Sequence, residues 1–326
     1  MRPAWSVILL TTLIGAGHGL FLALVTAQSY ALVGLLAPVQ GRGWYVAGSG
    51  IALGLLVAGL GASFFHLGRP ERAWRSAAQW RTSWLSREVI VLPAFMAAVA
   101  LYGLLHALDF RPVLMTSARG LEIDLTLAVG GVGTVLAFAL FVCTGMVYAC
   151  LRFLAEWHTP LTPLNYTLLG GASGFTLAAG LAALVEPPLV DLLAGWAIVL
   201  TAMGAIGRGA ALLRNARLVP KSTIQSAIGV KHPVVTQRAM GFMGGSFNTR
   251  EFFHGASPAR FRAVRPLFVL LAFVMPLMLL VAARPAQSAA VLLAAFAVQF
   301  VGLLAERWFF FAQARHPQNL YYQHVS

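Results

Sequence analysis

"SVILLTTLIGAGHGLFLALVTAQSYALVGL", residues 6–35, contains one histidine and no Asp, Glu, Lys or Arg. About 18 apolar residues in a row, wound as a helix at ~1.5 Å per residue, suffice to cross the ~30 Å hydrocarbon core of a bilayer. The run lacks a small-residue cleavage site and is longer than the apolar core of a secretory signal, so it reads as a retained membrane span. Comparable runs follow at 45–65, 87–108, 124–151, 165–185, 189–211, 266–283 and 287–307, separated by Pro, Gly and charge as in "APVQGRGW" and "VEPPLVD". The chain is 59% hydrophobic and only 10% charged over 326 residues, which excludes an ordinary water-soluble domain. The expected fold is all-α: a polytopic integral membrane bundle of eight transmembrane helices, one domain over 1–326, with a long basic loop at 208–265 for partner docking.

The formal net charge is +13. Of 23 Lys and Arg residues, 19 fall at the N-terminus, in the 66–87, 152–164 and 208–265 segments and in the tail, against Arg42, Arg111, Arg119 and Arg284 in the opposite loops. Positive charge gathers on the cytoplasmic side of membrane proteins, so both termini and this basic face are expected in the cytoplasm. The insertion rule accounts for the charge, and no nucleic acid partner is inferred. No Ser-His-Asp set, zinc spacing or phosphate loop supports hydrolytic or phosphoryl-transfer chemistry. Cys143 and Cys150 lie in an apolar run without a Cys-x-x-Cys pair, which gives no basis for an iron–sulfur cluster held by this chain. A diheme cytochrome needs about four intramembrane histidines. Here only His18 is near mid-membrane, so neither haem nor another metal is expected. Gly15–Gly19 and Gly170–Gly174 have the spacing that lets helices approach closely.

The segment "FFHLGRPERAWRSAAQWRTSWLSREV", residues 64–89, packs a histidine, five arginines, two glutamates and three tryptophans between two spans. Each charge alone reads as a snorkelling side chain or an ion pair at the membrane boundary, and each Trp as an interfacial anchor. Together, His66, Arg81, Trp84, Arg87 and Glu88 match the needs of a quinone headgroup at membrane depth. A donor meets the carbonyl, a carboxylate or imidazole accepts the hydroxyl proton, and aromatic walls hold the ring. His18 is either a further site residue or a hydrogen-bonding partner of a neighbouring helix. Glu156, in the turn "LRFLAEWHTPLTP", is a loop carboxylate that could also lie on a proton path. The basic, aromatic stretch 214–265, with "FMGGSF", reads as a partner-docking surface.

Four stretches, "HLGRPERAWRSAAQWRTSWLSREV", "EWHTPLTPLNYTLLG", "GGSFNTREFFHG" and the tail "GLLAERWFFFAQARHPQNLYY", resemble the membrane anchor subunit of the dimethyl sulfoxide reductase family, and the likeness runs from "MRPAWSVILLTTLIGAGHG" to the end. The resemblance implies a haem-free eight-helix anchor in the bacterial inner membrane. Such an anchor exchanges electrons between menaquinone or ubiquinone and an iron–sulfur subunit, which serves a molybdopterin catalytic subunit in anaerobic respiration or sulfur metabolism. It also implies that the histidine of His-Leu-Gly and the glutamate of Ser-Arg-Glu take part in quinol binding; these are His66 and Glu88. The family includes quinone-linked sulfite dehydrogenases, to which "EWHTPLT" is the more similar. A different expectation, a transporter or channel for an anionic solute using the arginine-rich vestibule, would require discontinuous helices at mid-membrane. The sequence shows no such pair.

Overall fold

The computed structural model describes residues 1–36, 41–116, 121–220, 222–238 and 251–321. "FMGGSF" and the "GGSFNTR" part of the third resembling stretch lie outside the described residues. Among the described residues, eight helices are long and apolar enough to cross a membrane: α1 (Trp5–Leu32), α2 (Arg42–Phe64), α3 (Trp84–Ala107), α4 (Leu125–Ala149), α5 (Leu161–Val185), α6 (Val190–Ala216), α7 (Pro258–Ala283) and α8 (Ala289–Ala312). Side-chain caps set several starts. The Ser83 hydroxyl accepts from Ser86 N at 3.3 Å, Asp124 Oδ1 from Leu127 N at 2.7 Å, and Ser257 from Arg260 N at 3.3 Å ahead of Pro258.

The basic stretch expected at 208–265 is shorter than its sequence bounds. α6 continues to Ala216 and α7 opens at Pro258, because arginines near these ends sit on helical turns and do not start a loop. α8 likewise runs through "ERWFFFA" to Ala312, beyond the expected end at 307. The connection between α3 and α4 carries a small antiparallel ladder, β1 (Val113–Thr116) against β2 (Glu122–Asp124), which the all-helical expectation did not include.

The bundle is built around two helices. In the most apolar stretch of each helix, 72% of α1 and 83% of α5 is buried in protein, against 33–39% in the other six. The outer helices turn apolar side chains such as Val135, Ile206 and Met278 outward, as a lipid-facing surface does. α1 and α5 meet through their two glycine pairs. A Cβ on Gly15 would lie 3.3 Å from the Cα of Gly170, and one on Gly174 would overlap the backbone of Gly19 and Leu20. That close approach is the use of small residues where lipid offers no hydrophobic drive between helices.

α7 contains a π turn at Leu270–Val274. Pro276 has no N–H to give to Ala272, four residues back. Gln299 of α8 lies beside that carbonyl, its Nε2 donating at 3.4 Å to Ala272 O and at 3.0 Å to Thr201 Oγ1. Both chain ends come to one end of the bundle, where the Met1 nitrogen donates to Ala314 O at 2.7 Å. An even number of spans requires this. The same end bears the 65–83 connection, partly wound as a 3₁₀ helix over Pro70–Gln79.

Candidate functional site

α1, α3, α4, α5 and α8 enclose a narrow cleft of about 440 Å³ of non-protein space, open in part, on the basic half of the bundle. Its polar wall includes Thr11, His18, Glu88, Thr144, Tyr166 and Arg307. Glu88 is the fifth residue of α3, and Thr144 lies near the end of the adjacent α4, so at ~1.5 Å rise both sit roughly 6–9 Å inside the helix ends. The Thr144 hydroxyl donates to Glu88 Oε1 at 2.7 Å, holding the carboxylate toward the bundle. His18 is about 20 Å along α1. Its ring centroid is 4.7 Å from Phe95 and 4.5 Å from Phe141, and neither ring nitrogen has a protein hydrogen-bond partner although the residue is buried. Buried polar atoms are almost always paired, so the imidazole leaves room on the cleft wall for a hydrogen-bond partner from outside the chain, a water or a ligand.

Of the six site residues expected from sequence, the cleft brings together His18 and Glu88. His66, Arg81, Trp84 and Arg87 are not on its wall; His66 and Arg81 belong to the connection that leads into α3, and Trp84 and Arg87 to the first turn of α3. His66 is exposed, just past the end of α2, and partial burial pulls its imidazole below the ordinary value. Arg87 turns back to cap that connection, donating to Trp80 O at 2.9 Å and Arg81 O at 2.8 Å, with its guanidinium 4.3 Å over the Trp84 ring. Arg75 and Arg81 stack similarly on Trp74 and Trp80, leaving an exposed rim of alternating cation and indole.

Sequence reasoning missed Tyr166, Thr144 and Arg307, and it placed Arg208 in a loop. Arg208, Glu306 and Arg307 instead form a buried triad between α6 and α8. Glu306 Oε1 is 2.6 Å from Arg208 Nε, and its Oε2 is 3.4 Å from Arg307 Nη1. The available signal was the apolar "WFFFA" after "ER", which puts the charged pair inside the span. The "EWHTPLT" turn is pinned by the end of α6: Arg214 donates to Ala155 O at 3.0 Å and to His158 O at 3.2 Å.

A second polar network occupies the opposite end. Tyr102 donates to Gln28 Oε1 at 2.8 Å, Gln28 to Thr126 Oγ1 at 2.7 Å, and Thr126 to Asp124 Oδ1 at 2.8 Å. Beside it, His106 stacks 4.1 Å from Tyr45, fully buried with both nitrogens unpartnered. Phe21 and Phe95, in edge contact at 5.4 Å, stand between this network and His18.

The family model for the DMSO reductase anchor subunit (DmsC) matches residues 1–322. Across all 326 residues, and the whole of both chains, the sequence is 56% identical to a sulfite dehydrogenase subunit of Allochromatium vinosum.

Proposed function

Because this chain belongs to the DMSO reductase anchor subunit family, we propose that it is the quinone-reactive membrane subunit of a molybdopterin oxidoreductase complex. It exchanges electrons between the quinone pool and an iron–sulfur subunit that serves the catalytic subunit. The observation that carries this reading is the cleft, in which a carboxylate and an unpaired buried imidazole face one space at membrane depth. The name of the Allochromatium vinosum relative, a sulfite dehydrogenase, favours a catalytic partner that oxidises sulfite, with electrons running toward quinone.

A quinone takes up two electrons and two protons, and its apolar tail keeps it in the lipid. His18 donates a hydrogen bond to one headgroup oxygen, which fixes the ring against Phe95 and Phe141. Glu88 gives a proton to the other oxygen, or accepts it in the reverse direction, while Thr144 holds the carboxylate in position. His66, drawn toward its neutral form, relays protons between Glu88 and water. Arg81, Trp84 and Arg87 form the rim on which the iron–sulfur subunit docks, together with the basic connection between α6 and α7. By the positive-inside rule this face, and both termini, lie in the cytoplasm of a bacterium with the bundle in its inner membrane.

The test uses membranes carrying the chain with its co-purifying partner subunits. Glu88→Gln is expected to lower quinone-linked turnover by ~10²–10⁴, the usual contribution of a positioned proton-transfer group, with assembly intact. His18→Ala weakens binding of a neutral quinone analogue, and His66→Ala slows turnover with less effect on binding. Unchanged turnover and unchanged analogue binding in all three would remove the quinone site from this cleft.

A further inference from the structure

Arg307 stands on the wall of the headgroup cleft, 4% exposed, with its guanidinium carbon 3.7 Å from the centre of the Tyr166 ring. It also lines a second, smaller pocket beside the first, shared with Tyr166 and bordered by Glu156, Asn165, Arg208 and Glu306. Among the described residues, the triad puts two buried guanidiniums against one buried carboxylate. Arg208 Nη2 and Asn165 Oδ1 find no protein hydrogen-bond partner there. A buried charge at membrane depth costs several kcal/mol unless paired, and here one unit of positive charge is left over. The titratable groups facing Arg307 are His18, Glu88 and Tyr166 in the cleft, with Tyr148 packed on Tyr166, and Glu156, Glu306 and Arg208 in the second cavity. Negative charge to balance the excess can come from Glu88, from Glu156 or from a ligand in the cleft.

We propose that Arg307 is the fixed counter-charge for an ionised headgroup oxygen, a catalytic residue of the quinone site, with Glu306 and Arg208 as positioning residues that hold its guanidinium on the cleft wall. This rests on the quinone reading above. In the quinol-oxidising direction the O–H bond breaks, the proton goes to the Glu88 carboxylate, and the electron pair stays on the headgroup oxygen. The cleft thereby keeps its single negative charge opposite Arg307, and the charge only changes place, from Glu88 to the ligand. In the quinone-reducing direction the partner's iron–sulfur cluster supplies electrons, and the charge that builds on the oxygen faces Arg307 until Glu88 delivers its proton. A fixed cation placed where charge develops needs no reorganisation during the step.

The experiment compares two probes with the same ring system in membranes carrying the whole complex: a hydroxyquinone that is ionised at neutral pH, and its neutral methoxy analogue. In the wild type both bind. Arg307→Gln is expected to weaken the ionised probe at least tenfold relative to the neutral one, and Arg307→Lys to weaken it less, because it keeps the charge but loses the planar stacking on Tyr166. An unchanged ratio in Arg307→Gln overturns the proposal and leaves the quinone reading standing. If Arg307→Gln does not assemble, optical titration of the hydroxyquinone bound to the Glu88→Gln complex decides. Ionisation at lower pH than for the free probe supports the counter-charge, and ionisation at the same or higher pH overturns it. Failure of both probes to bind the wild type removes the quinone reading and this proposal together.

Discussion

Thr144 offers a sharper probe of the carboxylate than Glu88 itself. A hydrogen bond to a charged group is worth about 1.5–3 kcal/mol, so Thr144→Val is expected to lower quinone-linked turnover by roughly one to two orders of magnitude at unchanged assembly. Thr144→Ser keeps the donor and restores the rate; equal loss in both variants would show that the hydroxyl does not position Glu88. His66 sets a pH dependence. Its folded value lies below the ordinary 6.5, so protonation is disfavoured in the folded loop, and this contribution to stability is present above about pH 6.5 and declines as pH falls through the lower, folded value. Turnover is expected to drop over the same acid range, and His66→Gln to flatten that limb of the profile. The sequence offered His18 because it interrupts an apolar run, and Glu88 because it closes a charged segment at the start of the third run and falls in the Ser-Arg-Glu motif of the family resemblance. Arg307 stayed hidden because "AER" falls near the end of the eighth run, where charge ordinarily means that the membrane has ended. Only the packing of α6 against α8 reveals that Glu306 and two arginines meet inside it.

Among elements, the eight spans could be read from apolar length alone, but their arrangement could not. The mean hydropathies of α1 and α5, 2.0 and 1.8, fall within the 1.8–2.6 range of the other six helices, so hydropathy does not single out the centre of the bundle. Glycine does, once it is known which glycines meet. Gly174→Ala puts a methyl group into the backbone of α1, and overpacking of this kind costs ~1–3 kcal/mol or more. The purified complex should melt several degrees lower or assemble in lower yield, whereas Gly54→Ala, which meets nothing within 4 Å, should match the wild type. The π turn in α7 gives a second check. Gln299→Leu leaves the Ala272 carbonyl without its side-chain donor and should destabilise by ~1–3 kcal/mol. In a Pro276→Ala background, where a backbone N–H can return to that carbonyl, the same change should cost less. Additive losses would mean that Gln299 acts only through Thr201. The short ladder at 113–124 escaped the sequence reading because two strands of three or four residues carry too little alternation to stand out from a loop.

For the whole molecule, the side that the basic end faces determines where the partner subunits work. Both termini share that end, so reporters fused to either one must agree. Fluorescent-protein fusions at each terminus should fluoresce, and phosphatase fusions that need export should be inactive, if the basic face is cytoplasmic. The opposite pattern would put the partner subunits outside. The family likeness was legible from four short motifs because each sets charged and aromatic residues together between apolar runs or at the end of one, and the match over residues 1–322 bears it out.

The ring layer of Phe21, Phe95 and Phe141 has a bearing on the cell's energy supply. Polar groups reach into this bundle from both ends, and if they met, the protein would be a short circuit through which protons leaked down the membrane potential. The phenyl rings of Phe21 and Phe95 stand between the two sets of polar groups, beside His18, where such insulation would have to lie. Under the proposed function, protons consumed or released at the cleft would be exchanged with the compartment at the basic end alone, and the subunit would move reducing power without draining the voltage across its membrane.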